Sequence, residues 1–344
     1  MRKSILLFLM LGLASLSYSQ EMKTLPNLLE VSANDALSLK TFGITEEVRK
    51  ILENPVNLEV RQIQFADLRE ISASSGLENK GYFKLSIPKS PKTKESGEIL
   101  VVPTQIESYP SGNYNYFGEL LYGSDDKGSL ILTKEKGEIF GSMLLGERVF
   151  RISQTASGEN LLIELDPAIY NNAAFCATES GASDSKSTEI DYSNLNNSSC
   201  GSRNVRVLVL FTDRANNVAN PNQLSITVMN ELRSALVNSK IYSSSLTYQL
   251  VGTQHIDFNE SSNARNDLLS LVADNQLNNL RQDTRADLVV VLTDGNYPLI
   301  QNGILMGNIL GIATLDEYSQ PNQGHVAIVE ADAGNVTFAH EVGI

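Results

Sequence analysis

Asp287-Leu288-Val289-Val290-Val291-Leu292-Thr293-Asp294-Gly295 is the stretch that decides the fold. Leu288 to Leu292 carries no polar alternation, so a strand here buries both faces, and Asp294-Gly295 marks the turn that ends it. Such strands lie inside sheets covered on both sides. Val205-Arg206-Val207-Leu208-Val209-Leu210-Phe211-Thr212 repeats the pattern upstream. Between the two runs, Pro221 suits the first turn of a helix, and Leu224, Val228, Leu232, Ala235 and Leu236 follow helical spacing to about Lys240. Leu246 to Val251 reads as a second strand, and Asp267 to Leu280 as a second helix with Leu268, Leu271, Val272 and Leu280 inward. This β-α-β-α-β order implies a largely parallel sheet with helices packed on it.

Downstream come Gly311-Ile312-Ala313, a short strand His325-Val326-Ala327-Ile328-Val329, and Asn335-Val336-Thr337-Phe338-Ala339 leading into His340-Glu341-Val342-Gly343-Ile344. These last five residues match four positions of HExxH. In that motif, histidines four residues apart project from one helix face to hold Zn²⁺, and the glutamate moves the proton of a metal-bound water. Ile344 stands where the second histidine belongs.

With the preceding helix, this succession of strands resembles the catalytic domain of metzincin metalloproteases, in particular the reprolysin (adamalysin)-like group. The resemblance implies a zinc endopeptidase acting on a peptide or protein substrate, with His340 as a metal ligand and Glu341 as the catalytic base. It also implies that Val326, Ala327 and Ile328 form the edge to which an extended substrate adds. The family's motif continues as HExxHxxGxxH, and nothing in this sequence corresponds to its second or third ligand or its Met-turn. Loss of the C from a CAT histidine codon yields isoleucine unless the next base is G, so the expectation is a truncated or frameshifted copy that is inactive as it stands.

Arg2 and Lys3 followed by an apolar run from Ile5 to Leu16 and by Ser17-Tyr18-Ser19 form a signal peptide over residues 1–19, cleaved before Gln20. The run is too short to span a bilayer, and no other segment is a transmembrane candidate. A secreted or periplasmic chain is expected. Its 27 basic and 40 acidic residues give −13, and −15 once Arg2 and Lys3 leave with the leader. That balance disfavours nucleic acid and anionic membranes.

Residues 20–169 read as a β-rich prodomain: a helix at Glu46–Glu53, then strands at 58–65, 82–87, 99–106, 114–121, 129–133, 139–145, 149–152 and 161–165 separated by turns such as Lys136-Gly137. The pattern is similar to reprolysin-like propeptides, against the plainer alternative of a β sandwich without inhibitory role. Residues 170–202, rich in Asn, Ser and Ala, read as a polar linker suited to activating cleavage, for example at Arg203. Asn196 and Asn197 head Asn-x-Ser sites there, which fits an exposed segment. Cys176 and Cys200 are the only cysteines. A disulfide between them is the plain reading, and the other is a cysteine switch in which the Cys176 thiolate silences the zinc.

The fold class expected is therefore α+β in two domains: the β-rich prodomain, then residues 203–344 as a partial metzincin α/β catalytic domain with a mostly parallel sheet and the active-site helix at its C-terminus. Two further functions stay open. Thr293-Asp294-Gly295 would also end a strand in a von Willebrand A-like adhesion module, although Asp213-Arg214-Ala215-Asn216-Asn217 lacks the hydroxyls that module needs. A non-catalytic protease-binding fragment is the other. His255 reads as a packing or surface residue, and His325, at the start of the expected edge strand, could lie near the cleft but is no ligand in the family pattern. Asp316-Glu317 and Glu330-Ala331-Asp332 offer oxygens for calcium, with solvated loops as the plainer reading.

Overall fold

The structure is a computed structural model that describes residues 25–31, 36–41, 43–65, 82–87, 97–122, 126–166, 175–178, 203–238, 246–295, 297–301, 304–314, 326–331 and 337–343. The signal peptide, Asn196, Asn197, Cys200, Asp316, Glu317, His325, Asp332 and Ile344 lie outside them. The chain divides into two compact units, Met1–Thr41 with Glu59–Glu164 and Phe42–Leu58 with Leu165–Ile344. Among the described residues no helix is long and apolar enough to cross a membrane.

The first unit is built on a closed barrel of nine strands, β1 (Asn27–Val31), β2 (Asn57–Phe65), β3 (Phe83–Ile87), β4 (Gly97–Ser108), β5 (Tyr114–Tyr122), β6 (Asp126–Glu135), β7 (Glu138–Leu145), β8 (Arg148–Gln154) and β9 (Asn160–Leu165). The order is β1-β2-β9-β8-β7-β6-β5-β4-β3. β1 makes the closure: Leu29 lies opposite Phe65 of antiparallel β2 and opposite Leu85 of parallel β3. Alternation along the meander then sends one side of each strand inward, as with Leu130 and Leu132, Met143 and Leu145, Phe150 and Ile152. Lys136 and Gly137 turn β6 into β7 with φ of 52° and 92°, the paired positive values that suit a two-residue hairpin. Arg148 makes a bidentate pair with Glu164, both bonds at 2.8 Å and both residues buried, and its guanidinium lies over the Phe150 ring.

The second unit carries α1 (Glu46–Glu53), β10 (Phe175–Thr178), β11 (Arg203–Phe211), α2 (Asp213–Val218), α3 (Pro221–Asn238), β12 (Leu246–His255), α4 (Ala264–Val272), α5 (Asn275–Thr284), β13 (Leu288–Thr293), β14 (Tyr297–Gln301), β15 (Ile304–Ala313), β16 (Val326–Glu330) and α6 (Thr337–Gly343). Its sheet runs β10-β15-β16-β13-β11-β12, with β14 also on β15. β11 is parallel to both β12 and β13, and β13 is parallel to β16. β15 is antiparallel to β14 and β16 but parallel to β10. One face buries Val207, Val209, Val290 and Leu292 with residues of α3 and α6. The other buries Leu208, Leu210, Val289 and Val291 with residues of α4 and α5. Apolar side chains on both faces explain why these strands read as unbroken apolar runs.

The expected fold class needs correction. The chain is not an α+β pairing of a β-rich prodomain with a metzincin α/β domain on a mostly parallel sheet. Among the described residues it is β-rich, 50% strand and 26% helix, with a closed nine-stranded barrel in the first unit. Two physical features account for the difference. β1, only five residues long, ties β2 to β3 and closes what reads as an open meander. In the second unit, the glycine-containing stretch that ends in Gly311-Ile312-Ala313 is a ten-residue strand antiparallel to both β14 and β16. The helix expected over 267–280 is also two helices: Ala273 caps α4, and the Asp274 carboxylate accepts the Leu277 N–H at 2.8 Å to start α5. β10 falls within the stretch expected as linker.

Candidate functional site

α6 turns Thr337, Phe338, Glu341 and Val342 toward the sheet, all of them buried, and leaves His340 exposed. These four positions share one face at helical spacing, so packing of Phe338 and Val342 fixes where Glu341 points. It points at Gly311 of β15. A Cβ added at Gly311 would stand 2.7 Å from Glu341 Cγ, 2.8 Å from Glu341 Oε1 and 2.7 Å from Thr337 Cγ2. Only a glycine allows the helix this close to the strand. His340 is thus exposed, whereas the neighbouring Glu341 is buried with the β15 backbone beneath its carboxylate.

The expected substrate edge is misplaced. Val326, Ala327 and Ile328 of β16 pair with Val289, Val290 and Val291 of β13 on one side, and Ala327 and Ile328 also pair with Ala313 and Ile312 of β15 on the other. With both sides hydrogen-bonded, β16 has no edge to offer. β15 lies further out, and four-residue β10 lies against it, with Cys176 opposite Gly311, Ala177 opposite Ile312 and Thr178 opposite Ala313. α6 packs against β10, β15, β16 and α3. The signal that could have found β15 is its β-branched and apolar composition, which the glycines obscured.

The residues present do not by themselves fit zinc. Among the described residues no three His, Cys, Asp or Glu side chains gather closely enough to hold a metal ion. His340 is one imidazole donor, whereas a catalytic zinc takes three protein ligands.

A second polar cluster, unforeseen in the sequence, lies where β11 and β13 end. The Glu260 side chain is wholly buried. It accepts hydrogen bonds from the Thr212 hydroxyl and from the Asp294 N–H, the latter at 3.0 Å, and Arg214 Nε stands 3.6 Å away. Burial raises the Glu260 pKa and nearby Asp267 raises it further, against the lowering effect of Thr212, Asp294 and Arg214. Asp267, also buried, accepts from the Ser261 N–H at 2.8 Å and the Tyr297 hydroxyl at 3.0 Å. Burial likewise pushes the Tyr297 phenol up. Gly295 is obligatory here, because a Cβ would sit 2.1 Å from the Tyr297 ring. Thr293-Asp294-Gly295, which suggested an adhesion module, is therefore held by a glutamate of the chain itself. His255 pairs with Asp213 at 2.9 Å and meets the Phe211 ring edge-on, as a surface residue.

The sequence matches no protein-family profile and no curated protein. Among solved structures, the chain is similar to metalloproteinase-II from Bacteroides fragilis, with 11% identity, a TM-score of 0.38, and coverage of 80% of this chain and 83% of that one. It is also similar to a chain in a chaperone–substrate complex, with 12% identity, a TM-score of 0.33 and 58% of this chain covered. The match spans only 27% of that chain's length. Both likenesses are coarse.

Proposed function

We propose that this chain is the precursor of an exported zinc metalloendopeptidase of reprolysin-like type, in which His340 is a metal ligand and Glu341 the base. On this reading residues 1–19 direct export, 20–169 act as prodomain, and 203–344 carry the catalytic part. The observation that carries it is the placement of Glu341. A glutamate following an exposed histidine on one helical turn is pressed onto the glycine of β15. That holds the carboxylate rigidly beside a strand whose side away from β16 is taken by β10. With isoleucine at 344 the metal lacks its i+4 ligand, so the chain as given has no hydrolytic activity.

For Cys176 the cysteine switch and a disulfide with Cys200 both stay open, and the backbone of β10 bears on the first. Its pairing sets Cys176 opposite the same Gly311 that touches Glu341. Segment 175–178 occupies the strand position beside β15, and its removal frees that position for substrate.

Zinc titration tests the proposal. Ile344→His supplies the missing imidazole, and affinity rises by about tenfold or more over the unaltered chain. Adding His340→Ala abolishes the gain. Equal zinc affinity in all three proteins would remove the basis for a metallopeptidase.

A further inference from the structure

The second unit is assembled from both sides of the stretch 179–202 that reads as a linker. Phe42–Leu58 and Leu165–Ile344 fold as one compact body, although the first of these segments lies between β1 and β2 of the barrel along the chain. Two elements from the N-terminal side of the linker are seated on that body. α1 packs against α2, and Lys50 Nζ donates to Asn217 Oδ1 at 3.3 Å. β10 lies parallel to β15, with Cys176 opposite Gly311, Ala177 opposite Ile312 and Thr178 opposite Ala313, and α6 packs on it as well.

Neither element stands by itself. Isolated helices shorter than about 12–15 residues are marginal in water. α1 has eight residues. Its ends are capped, since the Thr45 hydroxyl accepts the Val48 N–H and the Asn54 N–H bonds to the Lys50 carbonyl. A cap contributes about 1 kcal/mol, which does not offset the cost of nucleation. The helix is therefore held by what it packs on, and Val48 is only 2% exposed. β10 has four residues, and even a two-stranded hairpin is barely stable alone, so its order comes from the ladder with β15.

Both elements are tied covalently to the barrel, α1 through β2 and β10 through β9. The piece that ends before Arg203 thus grips the piece that begins there at two places. Two joined contacts hold more firmly than either alone, because once one is made the other becomes intramolecular.

We propose that a cut between residues 179 and 202 leaves a two-piece protein, in which the N-terminal piece stays bound to residues 203–344 through α1 on α2 and β10 on β15. The partner these surfaces fit is the chain's own N-terminal piece. This assembly does not depend on hydrolysis by the second unit. On the peptidase reading it adds a step to activation: cleavage of the linker leaves β15 covered, and uncovering it takes a further cut or separation of the two pieces.

A site-specific protease sequence placed within residues 183–195 of the full chain tests this, with a reducing agent present so that no Cys176–Cys200 bridge contributes. After cutting, the two pieces should elute together in gel filtration at low micromolar concentration. Hydrogen exchange should show the amides of 46–53 and 175–178 as protected as in the uncut chain. Cys176→Pro with Ala177→Pro removes a ladder donor, since one of two successive N–H groups points at β15, and Val48→Asp puts a charge at a buried position of α1. Each change should raise the dissociation constant of the cut protein by about tenfold or more. The comparison of cut with uncut unaltered protein decides even if a variant misfolds. Separation of the pieces on cutting, loss of protection in either segment, or unchanged affinity in either variant overturns the proposal.

Discussion

Substitution of Gly311 by alanine probes the contact on which the site is built. The new methyl would meet Glu341 Cγ and Thr337 Cγ2 at 2.7 Å and Glu341 Oε1 at 2.8 Å. Carbon atoms in favourable contact lie about 3.5–4.0 Å apart, so α6 or its side chains must retreat by roughly 1 Å. Glu341 can rotate part of the way, but Thr337 is branched at Cβ and stiff. Overpacking of this kind costs about 1–3 kcal/mol. Urea denaturation followed by circular dichroism measures the loss. A second background sharpens it: Glu341→Ala removes two of the three clashing atoms, so Gly311→Ala should cost about 1 kcal/mol less there, a coupling typical of residues in contact. Equal cost in both backgrounds, or no cost in either, refutes the packing of Glu341 on β15.

Gly295→Ala drives a methyl into the Tyr297 ring, and should destabilise by about 1–3 kcal/mol while weakening exchange protection across β14. Asp274→Ala removes the cap that separates α5 from α4, and a loss of about 1 kcal/mol in denaturation is expected. In the barrel, Arg148→Met alone strands the buried Glu164 carboxylate and should cost about 3–5 kcal/mol, whereas Arg148→Met with Glu164→Leu recovers most of it. If Cys176 is a switch, peptide mapping without reduction should find it alkylated rather than joined to Cys200. A Cys176–Cys200 cross-linked peptide contradicts the switch.

Local chemistry made some parts of this structure legible in the sequence and hid others. Leu288 to Thr293 announced a central strand because both of its faces are covered. Glu46–Glu53 announced a helix, and the Thr45 hydroxyl indeed accepts the Val48 N–H at 3.3 Å to begin it. Lys136-Gly137 announced its hairpin. β1 stayed hidden, since five residues cannot declare a period and its role is the long-range closure of a barrel. The two sides of β16 were unreadable for a similar reason: which neighbours a short apolar strand acquires depends on how a distant strand turns back. His340 and Glu341 were singled out by a partial HExxH match, but the contact of Glu341 with Gly311 appears only when α6 meets β15. Glu260 gave no signal, because a glutamate in an irregular polar segment looks solvated until Thr212 and the Asp294 amide surround it.

Zinc K-edge absorption on the zinc-loaded Ile344→His protein is the sharpest check that α6 is built to grip a metal. Two imidazole nitrogens at about 2.0–2.1 Å are predicted, falling to one when His340→Ala is added. A coordination shell unchanged by the loss of His340 would show that the helix does not hold the ion.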